Sequence, residues 1–530
     1  MNSQVFDERP VDYKRKYDMK NIKEKIINNK LVIIILAIII ALQVVARVYL
    51  GEKKEYFHMD EMYSYGLMNY NKLNIADNDD FYDNWHNKQY YKDYLEINSD
   101  EVWNLKPVYE NQKNDVHPPL FYLLLRIAST FTVDNFTKWS GIWLNIIISI
   151  ASTILTFLIV NKLCKNKYAG LIASAFSTFT IIGLSTTMYI RMYELANFNI
   201  LLLVYTQLKL LEKVELRFKD CIPVIIALLL GGLTHYYFFI FAFVIYIMYA
   251  IKCIKEKKFK NLGIFTGAMV VAAVIFLLIF PFAINHVLFS YRGLSGGGEV
   301  GYIEKLGRFA WILKENIGGD YLIYILAIAV ILYIVNLIRK REFKEGKILW
   351  VLLPTIAYFL MVAKNAPYIE IRYIIPIAST SAICICYIIW TALPKYANEK
   401  ITGIIATILC AFLVVMPIKN ANFNLSSLIS FDYTQFNHIA DRIKEENLPI
   451  IYIFDKSNNR FLDDLYLFTL TENSIIIDSE KIDEFEDEIN NQKSYILMCN
   501  NDEIAKEFLQ NKNSTHMQHM NACDIWKIDK

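Results

Sequence analysis

A chain of 530 residues that is 55% hydrophobic and 14% aromatic, with 12 Pro and 19 Gly, is not a string of soluble domains, because its apolar runs recur as far as residue 417. The near balance of 55 basic and 53 acidic residues, a formal net charge of +2, gives no sign of a nucleic-acid partner. Its eight cysteines include no metal-ligand spacing of the CxxC kind, and Cys384 and Cys386 would point about 200° apart on a helix, so they read as packing residues.

In chain order, residues 1–30 are polar and Lys-rich and are expected to form a cytoplasmic tail. The apolar run 31–50 has spanning length, roughly 20 residues, and the polar segment before it is too long for a signal peptide. Residues 51–116 carry fourteen acidic side chains against seven Lys and no Arg, which places them on the opposite, outer side. Their aromatics (Tyr82, Trp85, Tyr90, Tyr91, Tyr94, Trp103, Tyr109) predict a folded outer loop of short helices along the membrane surface. His117-Pro118-Pro119 opens an apolar run to Phe131, read as a surface or re-entrant helix.

Further spans are expected at 139–160, 168–187, 198–211, 221–233, 238–251, 262–284, 321–338, 348–362, 373–393 and 401–417. Lys and Arg cluster in alternate connections, at 162–167, 213–219, 252–260, 339–341 and 395–400, and mark one face as cytoplasmic throughout. The reading is an α-helical polytopic membrane protein of about 11 to 13 spans over residues 31–417, with a second outer loop at 285–320. In that loop Ser295-Gly296-Gly297-Gly298 is either a lid hinge or a plain linker. Residues 420–530 turn polar. Helices alternating with strands at 450–454, 474–478, 495–499 and 524–528 predict a small extracytoplasmic α/β domain with a largely parallel sheet and no nucleotide loop.

The stretch His58-Met59-Asp60-Glu61-Met62-Tyr63-Ser64-Tyr65 follows the first span. A carboxylate at a membrane mouth stays ionised and can take a proton from a hydroxyl, which makes Asp60 and Glu61 candidate catalytic groups, with His58 beside them. Pro118-Pro119 leaves the next helix with free N–H groups, an anion site next to His117, and Asp115 either caps that helix or holds a metal. The segment Met188–Glu194 puts Arg191 and Tyr193 at a helix end, where a full charge is expensive and signals function; Arg47 has the same character in the first span. Arg372-Tyr373 repeats the theme, a forked donor and a hydroxyl suited to a phosphate headgroup. His235-Tyr236-Tyr237 turns between two spans, and His235 is either structural or, with carboxylates opposite, a ligand for a divalent metal; no metal ligands are assigned. All these groups fall at outer helix ends, and that shared side argues for one site.

On these residues the chain resembles the GT-C membrane glycosyltransferases, specifically the bacterial relatives of the protein O-mannosyltransferases and the aminoarabinose transferase (glycosyltransferase family 39 and its neighbours). The matching pieces are Arg47, Asp60-Glu61, His117-Pro118-Pro119-Leu120, Arg191-Met192-Tyr193 and Thr234-His235-Tyr236-Tyr237, over about residues 30–390. There is no Trp-Trp-Asp motif, which sets the oligosaccharyltransferase branch aside. The resemblance implies a GT-C catalytic domain in the cell membrane. It implies hexosyl or pentosyl transfer from a polyprenyl-phosphate sugar to an acceptor on the outer face, with Asp60 as base. It also implies that basic and Tyr residues bind the lipid phosphate, here Arg191, Tyr193, Arg372 and Tyr373. Glu194 departs from the pattern by adding an anion beside Arg191. Phosphate leaves without a strong acid, so one base and a set of cations suffice for a single displacement with inversion. A retaining route would need a second carboxylate as nucleophile, and Glu61 points about 100° from Asp60 on a helix. The rival from another class is a transporter or flippase of a lipid-linked glycan. The charges lie at one face rather than the midplane, and no inverted repeat is visible, which favours the enzyme.

Overall fold

A computed structural model describes residues 11–54, 56–70, 74–289, 300–340, 346–393, 398–422, 438–456, 461–520 and 523–529. Helix α1 (Val11–Lys53) starts well before the expected span, because no Gly or Pro interrupts the chain from Val11 to Leu50. The expected 1–30 tail is therefore helical from Val11 onward. The acidic segment folds into α2 (Met59–Asn69), strand β1 (Trp85–Asn87), α3 (Lys88–Leu95) and α4 (Lys106–Asn114), followed by α5 (Leu120–Ser129). Of its aromatics, Tyr65, Phe81, Tyr91 and Tyr94 are buried while Trp103 and Tyr109 are exposed, and Gly66 of α2 lies so close to Tyr94 that a Cβ there would sit 1.9 Å from the ring. Arg126 of α5 ties this layer together by donating to the Met68 and Glu101 carbonyls at 2.9 and 2.8 Å.

The membrane domain continues with α6 (Lys138–Cys164), α7 (Lys167–Phe179), α8 (Ile181–Met188), α9 (Tyr193–Leu210), α10 (Ile222–Gly232), α11 (Phe238–Lys255), α12 (Phe259–Ile279) and α13 (Ala283–Leu288). It is completed by α14 (Tyr302–Ile317), α15 (Tyr321–Lys340), α16 (Leu349–Asn365), α17 (Ala378–Ala392) and α18 (Glu399–Asn420). Among the described residues six helices are long and apolar enough to cross a membrane, or eight if each of two bent pairs is one span. That is fewer than the sequence suggested. Helices α10 and α16 have 11 and 17 residues, and α9 carries buried Glu194, Asn197, Asn199 and Gln207. The expected span 168–187 is broken into α7 and α8 at an angle of 56°, where the Thr180 hydroxyl accepts from the Gly183 N–H at 3.2 Å and caps α8. The described part of the expected outer loop 285–320 is largely α14, which meets α15 at 92° across Gly319, whose φ of +64° favours glycine. The Ser295–Gly298 run lies outside the described residues.

The C-terminal part holds a six-stranded sheet in the order β1-β3-β2-β4-β6-β5, with β2 (Ile450–Phe454), β3 (Asn473–Asp478), β4 (Ser494–Cys499), β5 (Ser514–His519) and β6 (Asp524–Asp529). Strands β3, β2 and β4 are parallel, and β2 is buried along its whole length, as a run of apolar residues at a sheet centre should be. The outer strands are antiparallel. Two of the six strands escape the sequence reading: β5, and β1 from the loop after α2, which pairs Trp85 with Ile475 and Asn87 with Asn473. The domain is thus stitched to the acidic loop. Lys481 adds an ion pair to Asp83 at 2.6 Å, and the Tyr56 hydroxyl donates to Asp464 Oδ1 at 2.8 Å.

Asp464 is fully buried. Burial first, and then the charge of Asp463, push its carboxyl up to about 7. A carboxyl raised in the folded state stabilises the fold below its unfolded value of about 4 and loses that contribution as pH rises through the folded value. The purified chain is expected to melt at lower temperature at about pH 8 than at about pH 5, and Asp464→Asn is expected to flatten that dependence in a thermal scan.

Candidate active site

Asp60 is the second residue of α2, and the start of that helix is closely held. The His58 ring caps it by accepting from the Asp60 N–H at 3.1 Å, while the Glu61 carboxylate reaches back to the His58 N–H at 2.8 Å. This directs the Asp60 side chain away from the Glu61 side chain. Asp60 accepts from Arg372 and from the Tyr189 hydroxyl, the latter at 2.5 Å, and its other oxygen lies 4.0 Å from Arg191 Nη2. Burial opposes its ionisation, but Arg191, Arg372, His58 and the Tyr189 hydrogen bond outweigh burial and hold the carboxyl well below the usual carboxylate range. Asp60 is therefore ionised at neutral pH.

The carboxylate faces a cavity of about 290 Å³ lined by Val116, His117, Pro118, Arg191, Tyr193, His235, Tyr236, Tyr237, His286, Asn365, Arg372 and Tyr373, among others. The linings come from helix ends. Tyr193 starts α9 and Phe238, just after Tyr237, starts α11, whereas Lys209 and Lys255 close the same helices at their far ends. At that far face Lys162, near the end of α6, meets Glu212 just after α9 at 2.5 Å. The two arginines are set differently. Arg372 packs over Tyr373 and contacts Glu370 through Nε at 3.0 Å. Arg191 donates to Ser64 at 3.1 Å and stands over Tyr122, and among the described residues its Nε has no hydrogen-bond partner. Two guanidinium groups lining one cavity suit an oxyanion.

Next to the lining residues Val116 and His117, Asp115 pairs with the His117 ring at 2.8 Å; burial opposes its ionisation, but His117 outweighs burial and lowers the carboxyl to about 2. His235, set among the tilted rings of His117, Tyr193 and Tyr237, is lowered to about 3 by burial first and by His117 and Arg191 second, and is neutral at pH 7. Tyr236 spends its hydroxyl on His286 at 2.8 Å. Among the described residues no three His, Cys, Asp or Glu side chains come together to share a metal ion.

Residues 117–304 match a family model described as a domain of unknown function (DUF6311). No curated protein matches the chain in sequence. Among solved structures, ArnT from Cupriavidus metallidurans superposes in its apo state with a TM-score of 0.53 at 9% identity, over 93% of this chain and 97% of that one. The same protein bound to undecaprenyl phosphate gives 0.52 at 10% identity over the same shares. The archaeal oligosaccharyltransferase AglB from Archaeoglobus fulgidus gives 0.45 at 10% identity, over 89% of this chain and 70% of that one. The fold is of the GT-C type.

Within that fold, the sequence-predicted residues divide in two. Asp60, His117, Arg191, Tyr193, His235, Tyr236, Arg372 and Tyr373 line one cavity. Arg47, Glu61 and His58 do not. Arg47 is buried away from the cavity, donating to the Gly183 carbonyl at 2.9 Å and to Thr178. Glu61 points to the other side of α2, where Lys54 and the Ile190 N–H both reach it at 2.9 Å. With three donors on its two oxygens, it is held in the wall behind α2 and not in the cavity. His58 is the cap of α2: its ring is taken by the Asp60 N–H at 3.1 Å and lies 3.9 Å from the Asp60 carboxylate. The anion site expected from His117-Pro118-Pro119 is also reduced, because the first free N–H of α5, on Leu120, donates to the Leu233 carbonyl at 2.9 Å. Glu194 is turned away and accepts from Ser152 at 2.9 Å, so it adds no anion to the Arg191 site. Tyr189, which holds Asp60, carries no signal in the sequence beyond its place two residues before Arg191. His286 and Asn365 gave no signal at all.

Proposed function

We propose that this protein is a membrane glycosyltransferase that moves a sugar from a polyprenyl-phosphate-linked donor to an acceptor hydroxyl at the extracytoplasmic face. The observation that carries the reading is the ionised Asp60 carboxylate set between Arg191 and Arg372 at the mouth of the cavity. A donor phosphate competes with Asp60 for the two guanidinium groups. As it takes them, Asp60 is released from its strongest partners, its basicity rises, and it is free to accept the acceptor's proton. The acceptor oxygen then bonds to the anomeric carbon while the bond from that carbon to the phosphate oxygen breaks. The electron pair leaves with polyprenyl phosphate, the arginines hold its charge, and the proton stays on Asp60. One displacement inverts the anomeric centre. Neutral His235, together with His117 and Tyr193, offers hydrogen-bonding groups and ring faces for the sugar.

Arg372→Lys is expected to raise the KM for the lipid-phosphate donor about tenfold, because an ammonium lacks the forked geometry; steady-state kinetics over a donor series checks this. A flippase would use the same charges without breaking a bond. Proteoliposomes carrying a polyprenyl-phosphate sugar separate the two: release of polyprenyl phosphate with sugar transfer supports the enzyme, and movement of intact lipid-linked sugar between leaflets refutes it.

A further inference from the structure

The first N–H groups of a helix need acceptors from outside it, and those of α2 can be accounted for one by one. The His58 N–H goes to Glu61 and the Asp60 N–H goes to the His58 ring. The Glu61 N–H takes the His58 carbonyl. The remaining one, on Met59, donates to Asp463 Oδ1 at 2.5 Å, a side chain of the C-terminal domain. The next residue, Asp464, holds the Tyr56 hydroxyl at 2.8 Å just upstream of the same helix. Both aspartates are buried. Two adjacent carboxylates thus grip the chain on the N-terminal side of Asp60, and one of them bonds the residue directly before it. The strand pairing of β1 with β3 fixes the loop beyond α2 to the same domain.

We propose that Asp463 is a positioning residue for Asp60, so that the C-terminal domain belongs to the catalytic apparatus. Its bond to Met59 sets the direction in which α2 enters, and that direction sets where Asp60 meets Arg372, Tyr189 and the cavity. This rests on the glycosyltransferase reading for its kinetic arm only.

The test compares Asp463→Ala with Asp463→Asn in the full chain. The Asn variant keeps an acceptor oxygen and the Ala variant does not. Hydrogen exchange read by mass spectrometry is expected to rise in peptides covering residues 56–66 of the Ala variant, with strands 450–454 and 494–499 unchanged, and to return to wild type in the Asn variant. Transfer by the Ala variant is expected to fall by about 10²-fold in kcat with the donor KM unchanged, and to recover in the Asn variant. Unchanged exchange at 56–66 in the Ala variant overturns the proposal, and so does a rise throughout the C-terminal domain, which marks a merely structural role. If wild-type protein transfers no sugar, the glycosyltransferase reading fails while the exchange result still decides the positioning role.

Discussion

Asp60→Asn is expected to lower kcat for sugar transfer by about 10²–10⁴-fold, while polyprenyl phosphate binds as tightly as in the wild-type protein or more tightly. The two effects have one cause. Asparagine keeps the shape of the side chain and can still meet Arg372 and Tyr189, so α2 keeps its place. It cannot take up a proton from a hydroxyl, so the chemical step stalls. It also removes the anion that competes with phosphate for Arg191 and Arg372. Single-turnover kinetics and calorimetric titration with polyprenyl phosphate read the two effects separately. A weaker base role, or a purely structural one, would lower binding and turnover together.

Glu61→Ala is expected to act on the fold instead, at a cost of about 3–5 kcal/mol, the usual penalty for leaving one member of a buried ion pair alone. Glu61 and Lys54 meet at 2.9 Å with side chains 0% and 1% exposed. Burial first lowers the Lys54 ammonium to about 8, and Glu61 is the partner that opposes this. The same carboxylate serves the His58 and Ile190 N–H groups, so the variant also strands the segment that carries Tyr189 and Arg191. The two N–H groups bond different oxygens of Glu61, so Glu61→Gln keeps an acceptor for one of them, and its folded fraction is expected to retain transfer activity that Asp60→Asn loses. Thermal unfolding of both variants beside the activity of the soluble fraction checks this. Two neighbouring acids therefore differ in kind, one facing the cavity and one building the wall behind it.

That difference shows what sequence could and could not carry. Sidedness was legible, because Lys clusters and polar helix ends alternate along the chain whatever the contacts are. It was enough to gather Asp60, Arg191 and Arg372, which lie 131 and 312 residues from Asp60 in sequence. The strands read at 450–454 and 495–499 were legible as short apolar runs, within one residue of β2 and β4. Partners were not. Arg47 looks like a functional charge in a span until Thr178 and Gly183 are seen around it. The break at Thr180 hides in an unbroken apolar run, because a capping threonine looks like any other. Strand β1 is three residues long, too short for a period, and its partner lies nearly 400 residues away, Trp85 against Ile475. The grip of Asp463 on Met59 is invisible for the same reason.

The most direct measurement of the central claim is made in cells. A strain lacking the protein, complemented at equal levels with wild type or Asp60→Asn, is compared by mass spectrometry of lipid-linked sugars and surface glycans. The account expects the Asp60→Asn strain to accumulate one polyprenyl-phosphate sugar and to lack one surface glycan, both restored by wild type, so that the first names the donor and the second the acceptor. Full restoration of that glycan by Asp60→Asn would contradict it.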